Sequence, residues 1–359
     1  MLTDKYRPKN LDEIVGQGPI MRVIKSSIAR KRLPSSYLFT GKKGTGKTST
    51  ARILAKMVNC STENYVPCDS CESCLGIKKG QNSDIVEIDA ASHRGVESVE
   101  RLIQECHFLP LYGRKKVIIF DEVQQLSNTA FDALLKILEE PPSHVLFILC
   151  TTDPEQIPDT IVSRCLRLHF KRPNIQEIVD YLSNICKREK IIYEDKALAV
   201  IAEHSDNSFR DALIALESIG EDITIATVSE IYSIVSIDTI TIFVYNLIQK
   251  KEKSSLRILN KYIQEGGDSK SLIDESLKFL RLMNIFDIDP NNEIPLEISN
   301  EKFAKYAKLL TNKVQLEGKN QNIKETLLML SSLNFKTRDI DQLLTEMAII
   351  EHCKEKIVA

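Results

Sequence analysis

The chain has 359 residues, of which 43% are apolar and 27% charged, with a formal net charge of −2. That length exceeds one ordinary core and calls for two or three domains, and the composition excludes disordered and collagen-like chains. The balanced charge excludes a surface coated with lysine for nucleic acid, so any such binding needs a local patch or a shared channel. The opening MLTDKYRPKNLDEIVG has no apolar leader, and runs such as VIIF and VLFILC fall far short of a bilayer span. A cytoplasmic protein with no membrane partner is expected.

From Tyr37 to Phe170 short β-type runs alternate with helical patterns, the signature of a parallel sheet covered by helices on both faces. Five strands are predicted: YLFT (37–40), DIVEID (84–89), KVIIFD (116–121), VLFILCT (145–151) and LRLHF (166–170). Residues 127–140 place Phe131, Leu134, Leu135 and Leu138 on one helical face behind a Ser127 cap and stop at Pro141-Pro142. Val96, Val99, Leu102, Ile103 and Cys106 form a similar face before the third strand. After Pro173 the β signal ends, and a small helical domain is expected to about Ile237. From about Asp238 to Ala359 the pattern is again helical, broken at Gly266-Gly267, at Asp289-Pro290-Asn291-Asn292 and near Gly318. The apolar run 234–248 is interrupted by Ser236, Asp238 and Thr241, and reads as a buried helix. The expected domains are therefore 1–172, 173–237 and 238–359.

Between the first strand and the helical pattern TSTARILAKMV, the residues Gly41, Gly46, Lys47 and Thr48 match G-x-x-x-x-G-K-[ST]. Glycines let consecutive backbone N–H groups converge on phosphate oxygens at a helix N-terminus, Lys47 neutralises β/γ charge, and the Thr48 hydroxyl ligates magnesium. The candidate phosphate cradle is Gly41, Lys42, Lys43, Gly44, Thr45, Gly46, Lys47, Thr48 and Ser49. By itself the stretch would also suit a basic, glycine-rich surface turn. A second half-site lies at the end of KVIIF, where Asp121-Glu122 leaves the carboxyl edge of a buried strand, the edge at which open α/β sheets keep ligands. Asp121 would hold magnesium through water and Glu122 would polarise the attacking water. Alone the pair is an ordinary solvated strand end; behind a P-loop, nucleoside triphosphate hydrolysis is the better reading.

Four of the nine cysteines, Cys60, Cys68, Cys71 and Cys74, fall within fifteen positions. Their spacing suits a closed tetrahedral zinc site, with an iron–sulfur cluster or unligated thiols as alternatives. Cys106, Cys150, Cys165, Cys186 and Cys353 read as small core hydrophobes.

Taken together, YRPKNLDEIVGQ (6–17), GKKGTGKT (41–48), IFDEVQQLS (119–127), ALLKILEEPP (133–142), TTDPEQIPDTIVSRC (151–165) and SFRDAL (208–213) resemble the AAA+ clamp-loader subunits, and most closely the bacterial DNA polymerase III gamma/tau family. The detailed resemblance spans about the first 220 residues; the C-terminal region agrees in length and helical character. It implies a P-loop AAA+ domain, a helical lid and an all-α collar for oligomerisation, with ATP, Mg2+ and Zn2+ as cofactors. It also implies an adenine pocket edged by Tyr6, Arg7 and Pro8 with Val15 beneath the base, and makes Thr151 the sensor that orients the hydrolytic water. Arg164 is then the arginine finger reaching into a neighbouring subunit, and Arg210 the second sensor on the lid. The resemblance turns the four-cysteine cluster, at about 60–75, into a structural zinc insert, and places Arg94 and Lys136 along a channel for one DNA strand. Implied partners are the delta and delta prime subunits, further copies of the chain, adaptors for single-strand-binding protein, the sliding clamp and primer-template DNA. The chain stops at Ala359, where tau-type members continue into domains for helicase and polymerase, so those two contacts are not carried over. It also has Gln124 where the family usually has histidine, and Asn207 where it usually has glycine. The competing expectations are a non-hydrolysing clamp-loader stator, which lacks a functional P-loop, and a zinc-stabilised DNA-binding module in which nucleotide is only structural.

Overall fold

The computed structural model describes residues 1–30, 32–62, 67–79, 82–232, 235–288, 301–333 and 338–353. The chain divides into two compact units, Met1–Ile225 and Ala226–Ala359. In the first, α1 (Leu2–Lys5) and α2 (Gly18–Ala29) precede β1 (Ser36–Thr40). There follow α3 (Lys47–Asn59), α4 (Glu72–Lys79), β2 (Ile85–Asp89), α5 (Val96–Cys106), β3 (Lys116–Asp121), α6 (Asn128–Glu139), β4 (Val145–Thr151), α7 (Asp159–Val162) and β5 (Leu166–His169). The strands pair in parallel in the order β2-β3-β4-β1-β5. All five predicted strands form, each within a residue of its expected ends.

The period-two alternation of a strand sorts the sheet's side chains onto two cores. Tyr37 and Phe39 of β1, Val117 and Ile119 of β3, and Leu146, Ile148 and Cys150 of β4 face Ile24 of α2 and Ile53, Leu54 and Val58 of α3. The residues between them, Leu38, Ile118, Phe120, Phe147 and Leu149, face Val99 and Leu102 of α5 and Phe131, Leu134 and Leu138 of α6. Each such side chain contributes about 1.5–3 kcal/mol when fully buried, which sets the register of every strand end. The carboxyl ends of β1, β3 and β4 consequently lie side by side, with Thr40 opposite Thr151 and β3 ending at Asp121.

Helix α6 starts at its expected cap, the Ser127 hydroxyl accepting from Ala130 N–H at 3.2 Å. Asp84, expected as a strand residue, lies just before β2 instead, and its buried carboxylate accepts from the N–H groups of Leu111, Tyr112 and Gly113 at 2.6, 2.7 and 2.7 Å. Asn59, the last residue of α3, holds the same loop: its Oδ1 accepts from Arg114 and Lys115 N–H at 2.9 and 2.8 Å.

Past β5 come α8 (Ile175–Glu189), α9 (Asp195–Glu203) and α10 (Phe209–Ile219). Asn174 and Glu177 form a reciprocal capping box at the start of α8. Two strands of two residues, β6 (Ile192–Tyr193) and β7 (Asp222–Ile223), pair in parallel where the sequence pattern shows only helix. Two residues are too few to display alternation. Asp206 and Asn207 both take left-handed backbone, at φ 49° and 55°, and the Asn207 amide donates to Pro173 O at 2.9 Å. Asparagine is, after glycine, among the residues best suited to that region, which accounts for its standing at a glycine position.

Helix α11 (Ile225–Ile231) starts at the division and the second unit continues as α12 (Ile237–Ile248), α13 (Glu252–Gln264), α14 (Ser269–Ile288), α15 (Glu301–Leu316), α16 (Asn320–Ser331) and α17 (Arg338–Cys353). The α13–α14 break falls at Gly266-Gly267 and the α15–α16 break at Gly318, as expected; the break at 289–292 lies outside the described residues. Phe243, Val244, Leu247, Phe279, Leu280, Met283, Val314 and Ile323 form its core. The apolar run at 237–248 is thus a buried helix, and among the described residues no helix is long and apolar enough to cross a membrane.

Candidate functional site

At the carboxyl edge of the sheet, a cavity of about 440 Å³ is enclosed by the N-terminal segment, the loop after β1, the end of β3 and helices α8 and α10. Its size falls within the ~300–1,000 Å³ usual for small-molecule sites. Of the sequence candidates, Lys43, Gly44, Thr45, Gly46, Lys47, Thr48 and Ser49 line it from the loop, and Asp121 and Glu122 from β3. Tyr6, Arg7, Pro8 and Val15 line it from the N-terminal segment and Arg210 from α10. Gly41 and Lys42 stand at the base of the loop, where Gly41 N–H donates to Thr151 O at 3.2 Å.

The loop's path depends on its glycines. Gly44 has φ +75°, and a Cβ there would come within 2.0 Å of Ser208 Oγ, the N-cap of α10. Gly41 has φ +147° and lies so close to Phe170 O that a Cβ would approach it to 2.4 Å. Past Gly46, α3 begins with its N-terminal N–H groups and positive dipole end directed at the cavity, an arrangement suited to phosphate. Lys47 is 6% exposed and its ammonium donates to Gly41 O at 2.8 Å and Lys42 O at 2.9 Å. Burial lowers its pKa, against the opposing charges of Glu122 and Asp121.

Thr48 Oγ1 donates to Asp121 Oδ2 at 2.8 Å, and Asp121 Oδ1 accepts from Glu122 N–H at 3.1 Å. A hydroxyl and a carboxylate in contact beside a phosphate-type loop are the oxygen donors a small hard cation takes. Burial raises the Asp121 pKa, and the Glu122 charge adds to it while the Thr48 bond opposes it. Glu122 itself has left-handed backbone, φ 50° and ψ 44°, which turns its side chain out of the sheet's alternation.

Cationic groups converge on the same space. Arg7, Arg52 and Arg210 all line the cavity with Lys43 and Lys47. Partial burial, then the Arg52 charge, lower the Arg7 pKa. Arg52, one turn after Thr48 on α3, forms a bidentate pair with Glu87 of β2 at 2.6 and 2.5 Å. An aromatic pair also lines the cavity, Tyr181 and Phe209, edge to face at 5.0 Å between centroids. The N-terminal segment is fastened to the helices there: Lys5 pairs with Glu189 at 2.6 Å, the Tyr6 hydroxyl donates to the same carboxylate, and the Tyr181 hydroxyl donates to Tyr6 O at 3.3 Å. Arg52, Tyr181 and Phe209 escaped sequence reasoning. Only Arg52 left a signal, its i+4 spacing from Thr48.

Thr151 is fully buried at the end of β4 and does not line the cavity; its hydroxyl donates to Gln124 Oε1 at 2.6 Å. Gln124 Nε2 in turn donates to Glu122 Oε2 at 2.6 Å. Arg164 stands apart from the cavity just after α7, where it donates to Glu139 at 2.6 Å and to Thr160 O at 2.8 Å. Arg94 is exposed in the loop after β2, and Lys136 lies on α6. The two segments touch through Ser127 N–H donating to Arg94 O at 3.2 Å.

A second constellation lies beyond α3. The sulfurs of Cys60, Cys68, Cys71 and Cys74 are all within 4.8 Å of one another. A tetrahedral metal with bonds of about 2.3 Å needs sulfur separations of roughly 3.8 Å, so the cluster is nearly preformed. Backbone N–H groups of Cys68, Cys71 and Cys74 donate to the sulfurs of Cys60, Cys68 and Cys71 at 3.3, 3.3 and 3.4 Å. Hydrogen bonds from Ser70 bring the Cys68 thiol down to about 5. The donor set fits zinc, with all four tetrahedral positions filled by protein sulfur. The other five cysteines are free thiols, all buried except the half-buried Cys165, and behave as core residues.

Comparison with known proteins gives the following. Residues 16–174 match a family model described as DNA polymerase III, delta subunit, and residues 177–217 one described as DNA polymerase III clamp loader subunit, ATPase lid domain. The chain is 39% identical to the DNA polymerase III subunit tau of Bacillus subtilis over 297 residues, 81% of this chain and 53% of that one. It is 37% identical to the DNA polymerase III subunit gamma of Buchnera aphidicola (subsp. Baizongia pistaciae) over 311 residues, 85% of this chain and 83% of that one. The match therefore spans about half of the tau protein but most of the gamma protein. Among solved structures, a single-residue variant of RuvB from Thermotoga maritima aligns over 92% of this chain and 93% of that one with a TM-score of 0.49 at 15% identity.

Proposed function

The chain belongs to the gamma/tau subunit family of DNA polymerase III, an AAA+ clamp-loader family, and on that premise we propose that it binds and hydrolyses ATP to open a sliding clamp and load it onto primed DNA. The observation that carries this reading is the meeting in one cavity of the loop residues Lys43 to Ser49, the bonded pair Thr48–Asp121 and the adjoining Glu122. The backbone from Gly41 to Ser49 receives the phosphates, Lys47 neutralises β/γ charge, and the base lies between Tyr6, Arg7, Pro8 and Val15 on one side and the Tyr181–Phe209 pair on the other. A bound Mg2+, held by Thr48 and through water by Asp121, would supply charge neutralisation across the β- and γ-phosphates. Glu122 orients the attacking water and accepts its proton, with Thr151 reporting on the γ-phosphate end.

Arg164 completes the site of a neighbouring subunit, stabilising charge on the transferring group, while Arg210 ties the lid to the chain's own γ-phosphate. On this reading the chain divides at 172 and 237 into AAA+ domain, lid and collar. The cysteine insert holds a structural zinc ion, and Arg94 and Lys136 track one DNA strand. The partners are other clamp-loader subunits, including further copies of this chain, together with the clamp and primer-template DNA in the cytoplasm. Lys47, Thr48, Asp121 and Glu122 are all in place, which speaks against a non-hydrolysing stator.

The test is ATP turnover by the full chain, alone and reconstituted with partner subunits, with and without clamp and primed DNA. Lys47→Ala and Glu122→Gln should each reduce turnover by on the order of 10²-fold or more, with Glu122→Gln still binding ATP. Turnover persisting in either variant would reject the site assignment, and a wild-type assembly without turnover would reject the reading altogether.

A further inference from the structure

Four polar side chains, Glu122 among them, form one connected network. Gln124 sits in the short turn after β3, and its Nε2 donates both to Glu122 Oε2 at 2.6 Å and to Thr152 Oγ1 at 2.9 Å. Its Oε1 accepts from Thr151 Oγ1 at 2.6 Å. Thr152 Oγ1 donates to Glu122 Oε2 at 2.9 Å, and Thr151 Oγ1 accepts from Asp153 N–H at 3.0 Å.

The directions of these bonds are forced. A carboxylate only accepts, so the amide must turn its nitrogen to Glu122. The Thr151 oxygen already takes a backbone N–H, so its proton is free to go to the amide oxygen. Turning the amide over would set oxygen against carboxylate and nitrogen against a donor. Among the described residues, both side-chain hydrogen bonds to the Glu122 carboxylate end on Oε2. They tie one oxygen to the protein and leave Oε1 as the one for substrate.

From this geometry we infer that Gln124 is a positioning residue that couples Thr151 to Glu122: its amide fixes the carboxylate's rotamer and makes that rotamer depend on where the Thr151 hydroxyl points. The inference rests on the proposed ATP hydrolysis. Gln124 is not among the residues lining the cavity, so it acts through Glu122 and not on nucleotide. Displacing a catalytic group by about 1 Å costs on the order of 10²-fold in rate without altering substrate binding.

The experiment measures kcat and KM for ATP in the reconstituted assembly with clamp and primed DNA, and ATP affinity of the full chain. Gln124→Glu keeps size and shape and still accepts from Thr151, but presents a carboxylate to Glu122. Its kcat should fall by on the order of 10²-fold, with KM and ATP affinity within about threefold of wild type. Gln124→His offers one donor and one acceptor on opposite ends of the ring and should recover at least about tenfold of that loss, whereas Gln124→Ala should not. In the Glu122→Gln background, Gln124→Glu should add no further loss, because there is no carboxylate left to orient. Wild-type kcat in Gln124→Glu, loss of ATP affinity in parallel with kcat, or full additivity with Glu122→Gln would each overturn the inference. If the wild-type assembly itself failed to hydrolyse ATP, the underlying reading would fall instead.

Discussion

The carboxylate of Asp84 offers a sharp test of what holds the loop before β3. It is 2% exposed and accepts three backbone N–H groups, from Leu111, Tyr112 and Gly113. That loop carries Phe108, Leu109, Leu111 and Tyr112 at 68, 73, 75 and 59% exposure, so its backbone cannot be held by burial of its own side chains. In Asp84→Asn the best amide orientation keeps oxygen toward Tyr112 and Gly113 and turns NH2 toward Leu111 N–H. Two charge-assisted bonds become neutral, at about 1 kcal/mol each, and one donor is orphaned at about 1–3 kcal/mol. Relief of carboxylate burial and relaxation of the loop toward water offset part of this, leaving about 2–3 kcal/mol of lost local stability. At about 1.4 kcal/mol per decade, amide hydrogen exchange over residues 108–115 should accelerate by roughly 30- to 150-fold. Asp84 lies at the opposite end of β2 from Asp89, so P-loop peptides should exchange as in wild type. A change below about threefold at 108–115, or an equal acceleration in the P-loop, would refute the reasoning.

Arg164→Ala should leave ATP affinity unchanged while turnover in the assembly falls by on the order of 10³-fold. The exposed Arg164–Glu139 pair is worth less than about 1 kcal/mol, so an accompanying large drop in melting temperature would point to a structural role instead. For Asp121, burial raises the folded pKa above 3.8, so the folded state holds its proton to higher pH than the unfolded state and stability declines as pH rises through that window. Asp121→Asn should therefore flatten the melting profile as pH rises above 3.8, where the unfolded carboxyl has begun to ionise and the folded one still holds its proton, while removing turnover; an unchanged profile would contradict the assigned burial. Chelation at neutral pH should expose the thiols of Cys60, Cys68, Cys71 and Cys74 to a thiol reagent, and zinc addition should restore protection. Four thiols reactive before chelation would exclude a metal-bound cluster in the purified protein.

Much of the first unit could be read from linear pattern. β3 and β4 are continuous apolar runs ended by a polar residue, and Ser127 and Pro141-Pro142 bracket α6, so local chemistry and fold agree there. The P-loop and the four cysteines are local as well, since their chemistry needs residues close in sequence. β6 and β7 were not legible, because a two-residue pair depends on what α8 and α10 place beside it. Arg52, Tyr181 and Phe209 were missed for a related reason. Aromatics on two separated helices have no local signature, an arginine in the middle of a helix shows only its i+4 spacing from Thr48, and only packing brings the three to one cavity.

The sequence alone determined the five strands of the main sheet, the glycine-rich loop after the first of them, the acidic strand end and the close-set cysteine quartet, because hydrophobic period, turn residues and residue spacing all act over a few positions. Tertiary structure decided which arginines, lysines and aromatics share the cavity, which loop Asp84 holds, and that Gln124 stands between Thr151 and Glu122. Those relations join residues distant along the chain, and they exist only once the parallel sheet has set its strand ends side by side.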